Sequence, residues 1–478
     1  MSMQRFLPLL LAASALSACA VGPNYHRPSA PISPTFKEAA GGWAPAAPAD
    51  ELDRGDWWTL FADPTLSGLE QKVQVSNQNI VAAEAAYREA RAVVREDQAQ
   101  LFPTVTANGS FTESGGGRGS GGTIIGSVVS GGAGGPTRQY RATLGATWEP
   151  DIWGRIRRTI EAARANAQVS EATLANARLS AQGELATDYF GLREADAEIA
   201  LERATVEAYQ RSLTIAQNRF NAGIAPHSDV LQAQTQLANA QADLSGLTQQ
   251  RADFEHAIAV LTGEAPGNFA LPTAAWTPNV PPVPAGLPST LLQRRPDIAA
   301  AERRVAAANA QIGVQVSAYF PSLTLTGSYG FTSRELGSLF NASNNIWSFG
   351  LNAAETLLDF GARRARVNEA KAAHDQSVAQ YRETVLEALQ DVENQLDASR
   401  VLGEQAGLRQ QAADAANAAE QMVLNRYKAG QVAYTDVITA QTAAYTARRA
   451  LAQSAGQRQA TSVALIQSLG GGWRAPAK

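Results

Sequence analysis

The most distinctive chemistry in this sequence belongs to Cys19, the only cysteine among 478 residues. Before it come Arg5, an apolar run from Phe6 to Leu16, and the small residues Ser17 and Ala18. A cationic start, a short apolar stretch and small residues ahead of a cysteine predict a bacterial lipoprotein signal, cleaved after Ala18 and acylated on Cys19 with diacylglycerol and an N-acyl chain. An ordinary signal peptide that happens to end near a cysteine is the plainer alternative. The apolar run Phe6–Leu16 is too short to span a bilayer, and one cysteine cannot build an internal disulfide framework. Ala20 follows, where an aspartate would favour retention at the inner membrane, so export to the outer membrane is permitted.

The other reactive residue types do not assemble. His26, His227, His256 and His374 are dispersed without metal-ligand spacing, so no metal site is expected, although His227 leaves room for a metal contact in an oligomer. No acid–base or nucleophile constellation emerges, which argues against an enzyme. GRGSGG at 117–122 has the glycine spacing of a phosphate loop but lies in low-complexity sequence, 115–135, with no helix after it; a flexible extracellular loop is the expectation. The net charge of −4 offers no basic surplus for nucleic acid.

Two carboxylates recur in one frame. NRFNAGIAPHSDVLQAQT, 218–235, returns as NRYKAGQVAYTDVITAQT, 425–442, with nine of eighteen residues shared, and Asp229 answers Asp436. Around this corner the whole chain is doubled. Pro103 answers Pro321 with a shift of 218, and Gly154 answers Gly361 with a shift of 207; the difference falls in the glycine-rich insertion of the first copy. The plan of each copy is helix, strand, loop, strand, very long helix, turn, helix. Residues 64–100 and 289–318, rich in Ala and Gln, are predicted as helices that stop at Phe-Pro pairs. Strands with a period of two are predicted at about 104–113 and 138–149, and again at about 322–332 and 345–355. Each is about as long as a tilted membrane strand. From Gly154 to Asn221 no proline intervenes, which predicts a helix reaching about 100 Å. Its apolar seam runs through Ile160, Ala163, Leu174, Leu185, Tyr189 and Leu192, echoed by Tyr381, Val385 and Val392. Gly223 and Gly430 suit helix C-caps, and Ser228-Asp229 and Thr435-Asp436 can cap the helices that follow.

Four strands cannot close a barrel around an aqueous bore, and open edges are not tolerated in lipid, so strands that cross a bilayer must be shared among several chains. A soluble sheet patch beneath the helices is the alternative. The fold class expected is mixed α and β, a two-fold internal repeat with four transmembrane strands and long coiled-coil hairpins. The parts are a signal peptide at 1–18, an extended segment at 19–63, the first repeat at 64–271 with its tip at about 221–229, a Pro-rich linker at 272–288, the second repeat at 289–470 with its tip at about 428–436, and a tail at 471–478. The Pro-rich stretches 28–48 and 272–288 read as extended connectors. Arg155, Arg157 and Arg158, echoed by Arg363, Arg364 and Arg366, stand at helix starts, where the dipole disfavours cations. Contact with lipid headgroups and inter-chain pairing with carboxylates both remain open.

VGPNYHRP after Cys19, the Phe-Pro-Thr and Phe-Pro-Ser strand starts, DIWG and LDFG, and both hairpin tips together resemble the outer-membrane factor family of TolC- and NodT-like efflux channels. The resemblance implies a homotrimer with a twelve-stranded barrel in the outer membrane, continuous with a helical periplasmic tunnel, and no catalysis. It implies a passive duct for drugs, metals or other small solutes, with a periplasmic adaptor and an inner-membrane pump of the RND type as partners. The gate would be the second tip, with Tyr427, Tyr434, Thr435, Asp436 and Thr439; the adaptor would touch Gly223, Pro226, His227, Asp229 and Gly430. Asp436 is then either a gate carboxylate repelling its copies or simply a helix cap. Val432 and Thr439 stand where some relatives carry arginine and aspartate, so apolar or hydroxyl contacts would close the entrance. A poreless periplasmic scaffold lipoprotein and a type I protein-secretion duct are the competing readings.

Overall fold

A computed structural model of the chain describes residues 20–33, 35–38, 56–114, 136–281 and 295–471. Cys19 and the glycine-rich insertion lie outside the described residues, as does the C-terminal tail beyond 471. The elements are α1 (Pro64–Ser76), α2 (Gln78–Ala99), β1 (Thr104–Ser114), β2 (Thr137–Trp148), α3 (Arg155–Asn221), α4 (His227–Leu261), α5 (Pro296–Ser317), β3 (Ser322–Ser333), β4 (Asn345–Ala354), α6 (Ala362–Lys428) and α7 (Tyr434–Ser468). The doubling is visible in the lengths. The long helices α3 and α6 have 67 residues each, and their return partners α4 and α7 have 35 each.

The chain divides into two compact units. The first combines residues up to Arg27 with Glu89–Ala167 and Arg303–Val378. Its centre is one antiparallel sheet in the order β1-β2-β3-β4. Large apolar side chains on it face outward: Val105, Phe111, Leu144, Tyr329, Trp347, Phe349 and Leu351 are all more than half exposed. A water-soluble sheet would bury such a set, whereas a sheet whose solvent is hydrocarbon displays it.

In the same unit the segment after Ala20 is fastened to the helix starts. Arg158, buried, donates to the carbonyls of Val21 and Gly22 and to Asn24 Oδ1. Asn309 Nδ2 donates to Pro23 O. Gly22 takes φ +96°, and a Cβ there would lie 2.5 Å from Gly313 Cα, so the crossing needs glycine at position 22, while a Cβ on Gly313 would press on the Arg158 side chain. The junction arginines find carboxylates in their own chain: Arg155 with Glu149 at 2.9 Å, Arg157 with Asp151 at 3.1 Å, and Arg363 with Asp359 at 2.8 Å. Those acids, in the same chain, offset the unfavourable dipole. Arg364 and Arg366 are exposed.

The second unit holds Pro28–Arg88, Gln168–Glu302 and Ala379 onward. A 3-10 turn, Trp57–Phe61, inserts Trp57, Trp58 and Phe61 into a core shared with Leu66, Leu185, Tyr189, Phe190, Ile258 and Val463. Asp63 caps α1 through bonds from Thr65 N and Leu66 N, and its other oxygen accepts from Tyr189 Oη at 2.6 Å. The predicted single helix over 64–100 is two helices. Asn77 breaks it in an extended conformation, accepts from Asn79 N and Ile80 N as the cap of α2, and donates to Leu261 O. Extended residues around Phe36 lie against α6, with Lys37 N and Glu38 N donating to the Glu393 carboxylate.

Candidate functional site

Both tips of the second unit end their long helix in the same way. Gly223 sits at φ +70°, its N–H donates to Phe220 O, and Ile224 N donates to Arg219 O. Gly430 sits at φ +76°, with Gly430 N to Tyr427 O and Gln431 N to Arg426 O. This pair of bonds is a Schellman motif, and its left-handed residue is the reason for glycine at each tip.

The two tips then share one core. Tyr427 and Tyr434 are 2% and 3% exposed, their rings 5.4 Å apart, and they pack with Ala216, Val230, Ala233 and Val437 from four helices. Arg219 of the first tip lies over the Tyr427 ring at 4.8 Å and donates to Tyr427 O at 3.1 Å. Burial raises the Tyr427 hydroxyl above its usual value, with Asp229 adding to the rise and Arg219 opposing it. Burial also raises that of Tyr434. Of the residues assigned to a gate, these two are buried in the shared core of the tips, while Thr435, Asp436 and Thr439 are exposed. Of the adaptor set, Gly223, Pro226, His227 and Gly430 are exposed, and His227 packs on Phe220 at 5.0 Å.

The two repeated aspartates do different things. Asp436 Oδ2 accepts from Ala433 N at 3.1 Å, reaching back over the first turn of α7. In the first copy the matching position is Pro226, which has no N–H, and α4 starts without a side-chain cap. The expected cap at Ser228-Asp229 is thus absent for a covalent reason, and Asp229 keeps only a favourable place in the first turn. Beyond the tip, a groove of about 650 Å³ is lined by Arg409 of α6 and by Ile438, Thr439, Thr442 and Thr446 of α7.

Periodicity gave no warning of a carboxylate seam between α3 and α7. Glu194, Glu198 and Glu202 follow one another at four-residue steps; Glu198 and Glu202 are buried, and Glu198 meets Arg449 at 3.4 Å. Burial, with Glu198 nearby, pushes Glu194 up to about 7 against the opposing Arg449. Glu202 is raised by burial, with a Tyr445 hydrogen bond and Arg449 opposing and Asp243 and Glu198 assisting. Apart from these, Glu70 of α1 is buried with both carboxylate oxygens unpartnered, and burial pushes it up to about 9. The four-residue spacing was readable, but helix faces that meet across 250 positions of sequence are not. No cluster able to hold a metal occurs among the described residues.

The chain matches the family described as outer membrane efflux protein over residues 69–264 and 287–471. It is similar to the probable efflux pump outer membrane protein TtgC of Pseudomonas putida, 31% identical over 471 residues that span 98% of this chain and 95% of that one. It is also similar to the cation efflux system protein CusC of Escherichia coli, 28% identical over 474 residues, 99% of this chain and 100% of that one. The solved structure of the outer-membrane channel OprN superposes with a TM-score of 0.83 at 30% identity, covering 95% of this chain and 100% of that one. These likenesses are all to transport channels. They support efflux and not the poreless scaffold or the secretion duct.

Proposed function

The chain belongs to the outer membrane efflux protein family and is an outer-membrane efflux channel with a large periplasmic part, and from that premise we propose how it is assembled, anchored and gated. Three copies close their strands into one twelve-stranded barrel, since the four strands of a single chain cannot enclose an aqueous bore. Acyl chains on Cys19 tether the mature chain to the outer membrane. A periplasmic adaptor docks on the tips at Gly223, Pro226, His227, Asp229 and Gly430 and brings an inner-membrane pump of the RND type. The channel catalyses no reaction; the pump supplies the energy, and drugs, metals or other small solutes pass outward.

The observation that carries this reading is the sheet with outward apolar side chains and two open edges, joined in one chain to duplicated hairpins. Three exposed groups of the second tip, Thr435, Asp436 and Thr439, form the gate. Brought together about a three-fold axis, the carboxylates would repel one another, so that contact with a cation or protonation alters the balance between closed and open. Deleting the gene is expected to raise susceptibility to at least one class among antibiotics, dyes, bile salts and metal ions, and the intact gene to restore resistance. No change anywhere across that panel would contradict the reading.

A further inference from the structure

The four strands carry three charged side chains in all, Glu113, Arg138 and Arg141. Two of them neutralise each other: Glu113 stands opposite Arg138 in the register, and their side chains meet at 3.1 Å. Arg141 is exposed and makes no ion pair among the described residues. The stretches that join the strands at that end of the sheet offer it little counter-charge. Residues 115–136 contain Arg118 and no carboxylate, and 334–344 contain Arg334 beside Glu335. Residues 104–148 and 322–354 thus hold four arginines against two carboxylates, in a chain whose net charge is −4.

Strand period decides which way Arg141 points, because successive side chains alternate between the two faces of a sheet. One face collects Phe111, Tyr140, Leu144, Tyr329 and Trp347, and the rings of Phe111 and Tyr140 are in contact at 4.8 Å. The pair Glu113–Arg138 belongs to this apolar face. The other face is a field of hydroxyls and amides. On it Gln139 Nε2 donates to Thr332 Oγ1 at 3.2 Å, and the Ser328 and Ser348 hydroxyls meet at 2.8 Å. Arg141 stands in that field, opposite Ser110 on one side and Thr332 on the other. It is the one charge the strands place there. When the apolar face meets lipid, the hydroxyl face meets the aqueous bore.

We propose that Arg141, repeated in each copy around the bore, forms a ring of guanidinium groups that binds small multivalent anions inside the barrel. The ring rests on the oligomeric reading above, which supplies its copies. Guanidinium stays charged at every physiological pH, and its fork of N–H donors matches carboxylate, phosphate and sulfate groups. With strands about 4.8 Å apart and tilted about 40°, a twelve-stranded wall has a radius of about 12 Å. A side chain reaching inward from that wall brings its charge within a Debye length of the axis, about 8 Å at physiological ionic strength. The fields of the copies therefore overlap where a solute must pass. Acidic solutes are drawn in, and those with several negative charges linger. The sign is opposite to that of the Asp436 carboxylates at the gate, so the conduit presents two rings of unlike preference.

The test is block of single-channel current by hexacyanoferrate(III), a small trivalent anion, with the purified mature protein in planar bilayers and the anion added to each side in turn. In 0.1 M KCl, where the Debye length is about 10 Å, the anion is expected to interrupt the current of the parent. In 1 M KCl, where that length is about 3 Å, the block is expected to weaken by about tenfold or more. Arg141→Gln is expected to abolish the block and Arg141→Lys, which keeps the charge, to retain it. Arg138→Gln, on the opposite face, is expected to block like the parent. Because removal of Arg141 can impair assembly, Ser110→Asp supplies a second measure: it sets a carboxylate opposite the intact guanidinium and is also expected to abolish the block. Current steps that the anion never interrupts from either side would overturn the ring and leave the channel reading intact. Block that survives in both Arg141→Gln and Ser110→Asp, or that Arg138→Gln removes, would do the same. Absence of current steps from the parent and from the Asp436 variants would overturn the channel reading together with the ring.

Discussion

At the scale of single residues, the unusual groups are carboxylates without adequate partners. Glu194 is raised to about 7 by burial in the α3–α7 seam. A carboxyl raised in the folded state takes up a proton on folding between its ordinary value of 4.5 and about 7. Its ionisation therefore costs stability progressively as pH rises through that window, with no cost below it and the full cost above. Glu194→Gln is expected to raise the melting temperature at pH 8 and to leave it nearly unchanged at pH 4.5, measured by thermal denaturation in detergent; an equal effect at both would show that packing, not charge, is responsible. None of this was legible in the sequence. Glu194, Glu198 and Glu202 stand at four-residue steps in the sequence, and only the arrival of Arg449 and Tyr445 from the far end of the chain makes a buried seam of them. The acylation expected at Cys19 rests on a local signal, the few residues before it.

At the scale of elements, most boundaries were legible because they depend on local chemistry. Phe-Pro pairs stop helices, period-two alternation marks strands, and Ala-Gly marks the tips; the four strands lie within about a residue or two of their expected ends. Asn77 was missed because a single cap residue inside polar, helix-favouring sequence carries a weak signal, and its role depends on Leu261 O. Both tips were expected to cap the helix that follows, yet Pro226 removes the N–H that Ala433 offers to Asp436. This difference separates cap from gate. Asp436→Asn keeps an acceptor for Ala433 N and is expected to hold stability within about 0.5 kcal/mol while altering closed-state lifetime and cation preference. Asp436→Ala should alter the same properties and also lose about 0.5–2 kcal/mol. If Asp436→Asn leaves single-channel behaviour untouched, Asp436 is a cap alone.

At the scale of the whole molecule, the account is that a doubled gene unit supplies four strands and two long hairpins, and that a conduit results when copies join. The doubling was legible from shared spacing, and with it the conclusion that one chain cannot close a barrel. The solutes carried were not legible, because nothing in the repeat frame encodes them. The most direct test of the central claim is electrical. Purified mature protein incorporated into planar bilayers is expected to show discrete conductance steps, brief or infrequent while the tips hold the entrance closed and longer-lived once Asp436 is replaced. Absence of conductance under every condition, for the parent and for the Asp436 variants alike, would contradict it.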